Sequence, residues 1–324
     1  MDKTTAVVEK ISRGIVRVLG LNPGPFTLQG TNTYIIGHGS RRILVDTGDG
    51  EQPEYFKLIK QCLGASKIDR ILLTHWHGDH IGGINSLLEM PDIVSSNCTV
   101  HKRLCARTDE QSDEVKRMLA GAVRRGRLRD IADTQVFAVD DLRLQAVFTP
   151  GHTPDHVAFT VASEEDLGLM LLTGDHILGQ GTTVVDELRS YMESLNRVLD
   201  IRPTALLPGH GPVISGTYCA PPEGSELPLC EYQSIRVIEE YIRHRNMRER
   251  QILEVLAQMP ADGGDSGWRL EDITHVVYKD ITDPKIILAA RKNTLLHLQK
   301  LAAESRVQGI EDGNHEIRWV LITK

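Results

Sequence analysis

No apolar run approaches the ~18 residues that a membrane-spanning helix needs, so no membrane partner is expected for this chain of 324 residues. The opening Met1-Asp2-Lys3-Thr4-Thr5 has no apolar segment, and Asp2 and Glu9 are acidic. Neither a secretory signal nor an organelle presequence is therefore expected. Cysteine is sparse and odd in number, at 62, 98, 105, 219 and 230, with no CxxC spacing. That excludes a disulfide framework and points to free thiols in a reducing compartment, with only Cys219 and Cys230 flanking a loop that could pair them if oxidised. Positive charge is not in excess, because 37 Lys+Arg stand against 44 Asp+Glu for a formal net charge of −7. This is not the footprint of a general nucleic-acid binder, so any basic surface must be local. What remains, 40% hydrophobic and 25% charged, is ordinary globular composition, which excludes disorder and fibre. The length suits one large domain or two modest ones.

The first half alternates short apolar runs with glycine-rich turns. Val16–Leu19, Thr33–Ile36, Arg42–Val45 and Arg70–Leu73 read as strands, and Glu54–Leu63 reads as a helix. Leu142–Phe148, His156–Val161 and Gly168–Leu172 read as further strands. A helix is expected over Asp186–Leu199, and a strand, Ala205–Leu207, leads into Pro208-Gly209-His210-Gly211. The recurring order, with polar residues at strand ends, suggests an α/β layered fold of two similar halves. Between them, 102–130 reads as helical and basic, with nine Lys/Arg against five acids, and a solvated helix face is its plain explanation. Three parts are expected: 1–216, a linker over 217–230 with its prolines and glycines, and a C-terminal module over 231–324. The module reads as a long helix over Ser234–Met259, then helices Leu270–Tyr278 and Pro284–Glu304. Two strands follow, Arg306–Ile310 and Glu316–Ile322, joined by a turn at Asp312-Gly313-Asn314. This is a winged-helix-like α+β order.

The chemistry concentrates in Thr74-His75-Trp76-His77-Gly78-Asp79-His80-Ile81-Gly82-Gly83. Three histidines and an aspartate within six residues, just after an apolar strand, are too dense for isolated core or surface histidines. Read as a loop, the stretch can aim alternate side chains at one point. Imidazole and carboxylate are donors for zinc, iron or manganese. One loop cannot complete a two-metal centre, so further ligands are expected in three glycine-flanked turns: Gly151-His152-Thr153, Gly174-Asp175-His176 and Gly209-His210-Gly211.

HxHxDH followed by separate His, Asp and His resembles the signature of the metallo-β-lactamase superfamily over roughly residues 12–215. The resemblance implies an αββα sandwich holding two Zn²⁺ at one edge. It assigns His75, His77 and His152 to one metal, Asp79, His80 and His210 to the other, and Asp175 to the bridge. Asp46, in Leu44-Val45-Asp46-Thr47-Gly48, would orient ligands from behind. Relatives with an iron pair for redox work carry glutamate at position 77, so His77 favours zinc and hydrolysis. The implied reaction is attack by a metal-bridging hydroxide on a phosphodiester, thioester or lactam, with Asp79 also counted as catalytic.

Longer strings narrow the resemblance: Leu21–Tyr34, Gly179–Val184, Pro208–Ile214 and Tyr241–Glu249, together with the C-terminal module. They are similar to the β-lactamase-like protein 2 group, described as single-strand-specific endoribonucleases of animal mitochondria. The resemblance implies a zinc-dependent endoribonuclease acting on single-stranded RNA in the mitochondrial matrix, with the cytoplasm as alternative. A thioesterase of the hydroxyacylglutathione or acyl-carrier type is the rival, and a metal-bound but inactive RNA-binding protein the third. Arg243, His244, Arg245 and Arg248 are candidate RNA contacts. The sequence departs from the group at 102–130, at 217–228, at 261–267, and at His176, where cysteine is familiar.

Overall fold

A computed structural model describes residues 6–105, 112–163, 168–218, 231–258, 267–311 and 315–322. Seven strands form the first sheet in sequential order: β1 (Val8–Ser12), β2 (Ile15–Leu19), β3 (Asn32–Ile36), β4 (Arg41–Val45), β5 (Lys67–Leu72), β6 (Val94–Lys102) and β7 (Leu128–Asp130). Pairing is antiparallel up to β4 and parallel from β4 to β7. The second sheet runs in the order β12 (Ala205–Pro208), β11 (Met170–Gly174), β10 (Val157–Ser163), β9 (Leu142–Phe148), β8 (Val136–Val139). Among the described strands, β11 and β12 are the parallel neighbours there and the other pairs are antiparallel.

Strand period two sorts the core into layers. Tyr34, Ile36, Ile43, Val45 and Leu72 face the second sheet and meet Leu144, Ala146, Val157, Phe159 and Leu172. Their neighbours Ile35, Leu44 and Ile71 face outward onto helices α1 (Pro53–Leu63), α2 (Gly78–Ile81), α3 (Ile84–Leu88) and α4 (Asp113–Arg124). Beyond the second sheet, Val147, Ala158, Leu171 and Leu206 pack against Leu188, Tyr191, Leu195 and Val198 of α5 (Leu188–Ile201). The αββα sandwich is therefore present. Local signals set the helix ends: Pro53 opens α1 and Gly64 closes it at φ 57°. The Glu187 carboxylate caps α5 by accepting from the Arg189 and Ser190 amides, each at 2.8 Å.

The C-terminal part is α6 (Gln233–Leu256), α7 (Leu270–Val277), α8 (Pro284–Ala303) and a sheet ordered β15 (Trp268–Arg269), β17 (Ile317–Leu321), β16 (Val307–Glu311). Its core joins Ile252, Val255, Trp268, Ile273, Leu298, Leu301, Val307 and Trp319. This is a winged-helix arrangement, and it does not hang free: Ile238 of α6 and Leu296 of α8 are buried with the outer face of the second sheet. At the start of the expected linker, β13 (Thr217–Tyr218) pairs with β14 (Glu231–Tyr232), the first residues of the C-terminal part. Cys219, Cys230 and the Asp312–Asn314 turn lie outside the described residues.

One expectation is corrected. Residues 102–130 are not one basic helix: Lys102 ends β6, Asp113–Arg124 is helical, and Leu128–Asp130 is a strand. Lys102 is not on a solvated face either, since it is fully buried with its Nζ 2.8 Å from Asp155 Oδ2. Its neighbour Arg103 lies over the Phe148 ring at 4.1 Å. The strand β6 escapes periodicity because Ser95, Ser96 and Asn97 interrupt its apolar residues, and parallel pairing with β5 and β7 decides its state.

Candidate metal centre

Five strand ends deliver the functional side chains to one edge of the sandwich. β4 leads to Asp46, β5 to His75 and His77, β9 to His152, β11 to Asp175 and β12 to His210. The second half of the histidine stretch is not a loop: Gly78–Ile81 forms a single helical turn, α2, that carries Asp79 and His80. That turn sits against the segment after Asp46. A Cβ on Gly82 would stand 2.2 Å from Asp49 O, and one on Gly83 2.2 Å from Thr47 O, so only glycine allows the approach.

The ligand atoms of His75, His77, His152 and Asp175 form one group and those of Asp79, His80 and His210 another, each within 4.8 Å. In the first group His77 Nδ1 is 2.9 Å from His75 Nε2 and 3.1 Å from His152 Nε2. In the second, His210 Nε2 is 3.3 Å from Asp79 Oδ2 and 3.4 Å from His80 Nε2. Asp175 touches both groups. Its Oδ2 is 3.3 Å from His210 Nε2, 3.7 Å from His152 Nε2 and 4.0 Å from His75 Nε2, while its Oδ1 is 3.4 Å from His80 Nε2.

The surroundings set the tautomers. Asp46 Oδ2 accepts from His80 Nδ1 at 2.7 Å and from Thr74 Oγ1 at 2.8 Å. Because the Thr74 hydroxyl spends its proton there, it accepts from His75 Nδ1 at 3.0 Å. Val184 O accepts from His152 Nδ1 at 2.7 Å. All three rings therefore carry their proton on Nδ1 and turn an Nε2 lone pair inward. On the other side, the Thr31 hydroxyl donates to Asp79 Oδ2 at 2.8 Å.

Burial first, then the neighbouring His152 and His80 charges, pushes His77 down to about 4. Burial also opposes charge on His210, but Asp175 and Asp79 outweigh it and lift the ring to about 9. Burial would raise the Asp175 carboxyl, yet His210 and His80 hold it well below the usual carboxylate range. The carboxylates thus draw positive charge to the Asp79–His80–His210 group, while burial and crowding hold His75 and His77 of the other group neutral with their lone pairs close together, an arrangement that a cation would satisfy. Asp175 Oδ1 and His210 Nδ1, both buried, make no hydrogen bond. A nitrogen and oxygen donor set without sulfur fits zinc, iron or manganese.

A cleft of about 560 Å³ opens over the centre. Pro25, Phe26 and Leu28 line one side, and Leu178 and the 180–184 segment the other. The Phe26 ring is 79% exposed at this rim.

The metallo-beta-lactamase superfamily matches residues 26–210 of the chain, and the beta-lactamase associated winged helix domain matches 270–319. The beta-lactamase-like protein 2 homolog of Drosophila melanogaster is 38% identical over 311 residues, 95% of this chain and 94% of that protein. The chain belongs to the metallo-beta-lactamase superfamily. Its relatives include the Caenorhabditis elegans beta-lactamase-like protein 2 homolog, 36% identical over 93% of this chain and 88% of that one. Another is the lactamase-like protein aptB of Emericella nidulans, 35% identical over 98% and 90%. A beta-lactamase domain protein from Burkholderia ambifaria shares the fold, with a TM-score of 0.72 at 20% identity over 99% of this chain and 96% of that one. The chain is thus a hydrolase-family member with a site able to bind metal ions.

Among the four C-terminal residues picked out in the sequence, Arg243 and His244 are exposed. Arg245 corrects the expectation of an RNA contact: it is 4% exposed and already engaged by Thr182, Thr183 and Asn293. Arg248 is half-buried, bonded to Gln251 and stacked over Tyr278 at 4.4 Å. Sequence reasoning missed Thr31, Thr74 and Val184. It also read His156 only as the start of a strand, although its Nε2 accepts from the Asp175 amide at 3.2 Å. The His152-x-x-x-His156 spacing was the available signal for that ring. The other three act through a hydroxyl or a carbonyl, which no residue pattern marks.

Proposed function

We propose that this protein is a zinc-dependent endoribonuclease that hydrolyses phosphodiester bonds of single-stranded RNA. The observation that carries the two-ion reading is Asp175, whose carboxylate lies within 4.0 Å of histidines in both groups. His75, His77 and His152 would hold one Zn²⁺, Asp79, His80 and His210 the other, and Asp175 would join them. When bound, the ions supply a nucleophile from water near neutral pH and polarise the bond under attack. Asp46 keeps the His80 lone pair aimed inward, and Thr31 holds Asp79 in one rotamer. The exposed Phe26 ring offers a flat apolar face on which an unpaired base can stack. Resemblance to the β-lactamase-like protein 2 group supports RNA as substrate and the mitochondrial matrix over the cytoplasm, which cell fractionation decides. Arg243, His244 and the half-buried Arg248 are the remaining candidates for phosphate contact.

One observation favours the thioesterase alternative. Among the described residues, no lysine or arginine lines the cleft, and its walls include Pro25, Phe26, Leu28, Leu178 and Val184. That lining suits an acyl chain. The two readings separate in one experiment: fluorescent single-stranded RNA and acyl thioesters are offered to the same preparation, with Asp79→Ala as control. RNA cleavage lost in Asp79→Ala supports the nuclease. RNA cleavage equal in both preparations removes it, and fast thioester turnover with no RNA cleavage replaces it.

A further inference from the structure

Helix α6 meets the metal centre along segment 178–184, which forms one wall of the cleft. The segment has little packing of its own, since Gly181 stands at φ 78° and Gln180, Thr182 and Val184 are exposed. Yet its two ends touch both ligand groups. At the start, the Gly179 amide donates to His210 O at 2.8 Å. At the end, Val184 O accepts from His152 Nδ1 at 2.7 Å, and Thr183 Oγ1 lies 3.1 Å from the same nitrogen.

Two side chains of α6, four residues apart and so on one helix face, hold the middle. Tyr241 Oη donates to Gly181 O at 3.0 Å and accepts from the Leu178 amide at 3.2 Å. Arg245 Nη2 donates to Thr182 Oγ1 at 3.1 Å and to Thr183 O at 3.3 Å. Its Nη1 donates to Asn293 Oδ1 of α8 at 3.3 Å. The guanidinium is buried, 5.7 Å from the Tyr191 ring centroid. A fork of several donors is what bridges two loop acceptors and a helix at once, and an ammonium on a flexible stem does not reproduce it.

We propose that Arg245 and Tyr241 are positioning residues of the metal centre. They fix segment 178–184 so that Val184 O holds the His152 proton on Nδ1 and keeps its Nε2 lone pair on the first metal position. The C-terminal part then does more than cover the sandwich: through α6 it completes the orientation of a ligand that the metallo-beta-lactamase part supplies. This rests on the reading of His152 as a metal ligand.

The test uses the full chain and the variants Arg245→Met, Arg245→Lys and Tyr241→Phe. Zn²⁺ affinity and stoichiometry are read by competition with a chromophoric chelator, the visible spectrum is recorded after Co²⁺ substitution, and circular dichroism monitors folding. Wild type is expected to bind two ions. Arg245→Met and Tyr241→Phe are expected to fold and to hold one ion about 10–100-fold more weakly, as loss of a group behind a ligand does. Their Co²⁺ spectrum is expected to change, and Arg245→Lys to recover part of the affinity. If Arg245→Met does not fold, Tyr241→Phe, which removes one oxygen, decides. Wild type binding two ions with every folded variant matching it overturns the proposal alone. Wild type binding none overturns the metal reading and the proposal together.

Discussion

Replacing Asp46 by asparagine tests how the centre is preorganised. The side chain keeps its shape, and its remaining oxygen can still accept from the Thr74 amide, a bond of 2.9 Å in the native chain. The amide group then takes the place of Oδ2, which accepts from His80 Nδ1 at 2.7 Å and from Thr74 Oγ1 at 2.8 Å. An N–H cannot accept either proton. To avoid facing it with Nδ1–H, the buried His80 ring must move its proton to Nε2, the nitrogen directed at Asp79 and Asp175. A protonated nitrogen is no ligand. A hydrogen bond to a charged group contributes about 1.5–3 kcal/mol, and ~1.4 kcal/mol is a factor of ten, so loss of the His80 bond alone predicts roughly 10–150-fold weaker binding at the second metal position. Freeing the Thr74 hydroxyl also loosens His75, so the first position weakens to a smaller degree. Isothermal titration of the metal-free chain with Zn²⁺ reads both steps. If Asp46→Asn binds two ions as tightly as wild type, the tautomer argument is refuted.

The buried Lys102–Asp155 pair predicts that two substitutions together cost less than one. Lys102→Met alone leaves an unpaired buried carboxylate and is expected to lower urea-unfolding stability by roughly 3–5 kcal/mol, whereas Lys102→Met with Asp155→Leu restores most of it. Gly151 stands at φ 134°, and a Cβ there would lie 2.4 Å from Tyr191 Cα. Gly151→Ala is accordingly expected to cost at least ~1–3 kcal/mol in the same assay and to displace the adjacent His152. Glu249 sets a pH dependence. Burial would raise its carboxyl, but His297 and Lys300 outweigh that and pull it down to about 2, with Lys300 Nζ at 2.6 Å and Arg306 Nη1 at 3.0 Å. A carboxyl depressed on folding stabilises fully above its unfolded pKa of about 4.3 and loses that contribution as pH falls towards 2. Wild type is therefore expected to exceed Glu249→Gln in stability by about 1–3 kcal/mol at pH 7, and the curves to converge near pH 2. A gap independent of pH argues against the charge.

The strands and helices that could be read in advance are those whose own residues state a period. Leu142–Ala146 alternates apolar and polar residues, and Glu54–Leu63 shows a helical apolar face between a proline and a glycine. β6 could not be read, because its polar centre is extended only by the strands on either side. The short turn α2 was hidden for a similar reason: four residues carry no period, and contact with the segment after Asp46 shapes it.

The residue types and spacing of His75, His77, Asp79 and His80 determine on their own that a metal site is to be sought, because so many imidazoles and carboxylates in one short stretch have no cheaper explanation. Distant His152, Asp175 and His210 could be nominated from glycine-flanked strand ends, and parallel or antiparallel pairing then brings those ends to one edge. Only the tertiary structure decided which nitrogen of each ring faces inward, since that depends on acceptors such as Val184 O and Thr74 Oγ1 that leave no trace in composition or periodicity. It alone decided Arg245 as well: an arginine on a helix reads as solvent-facing until the loop it buries against is in place.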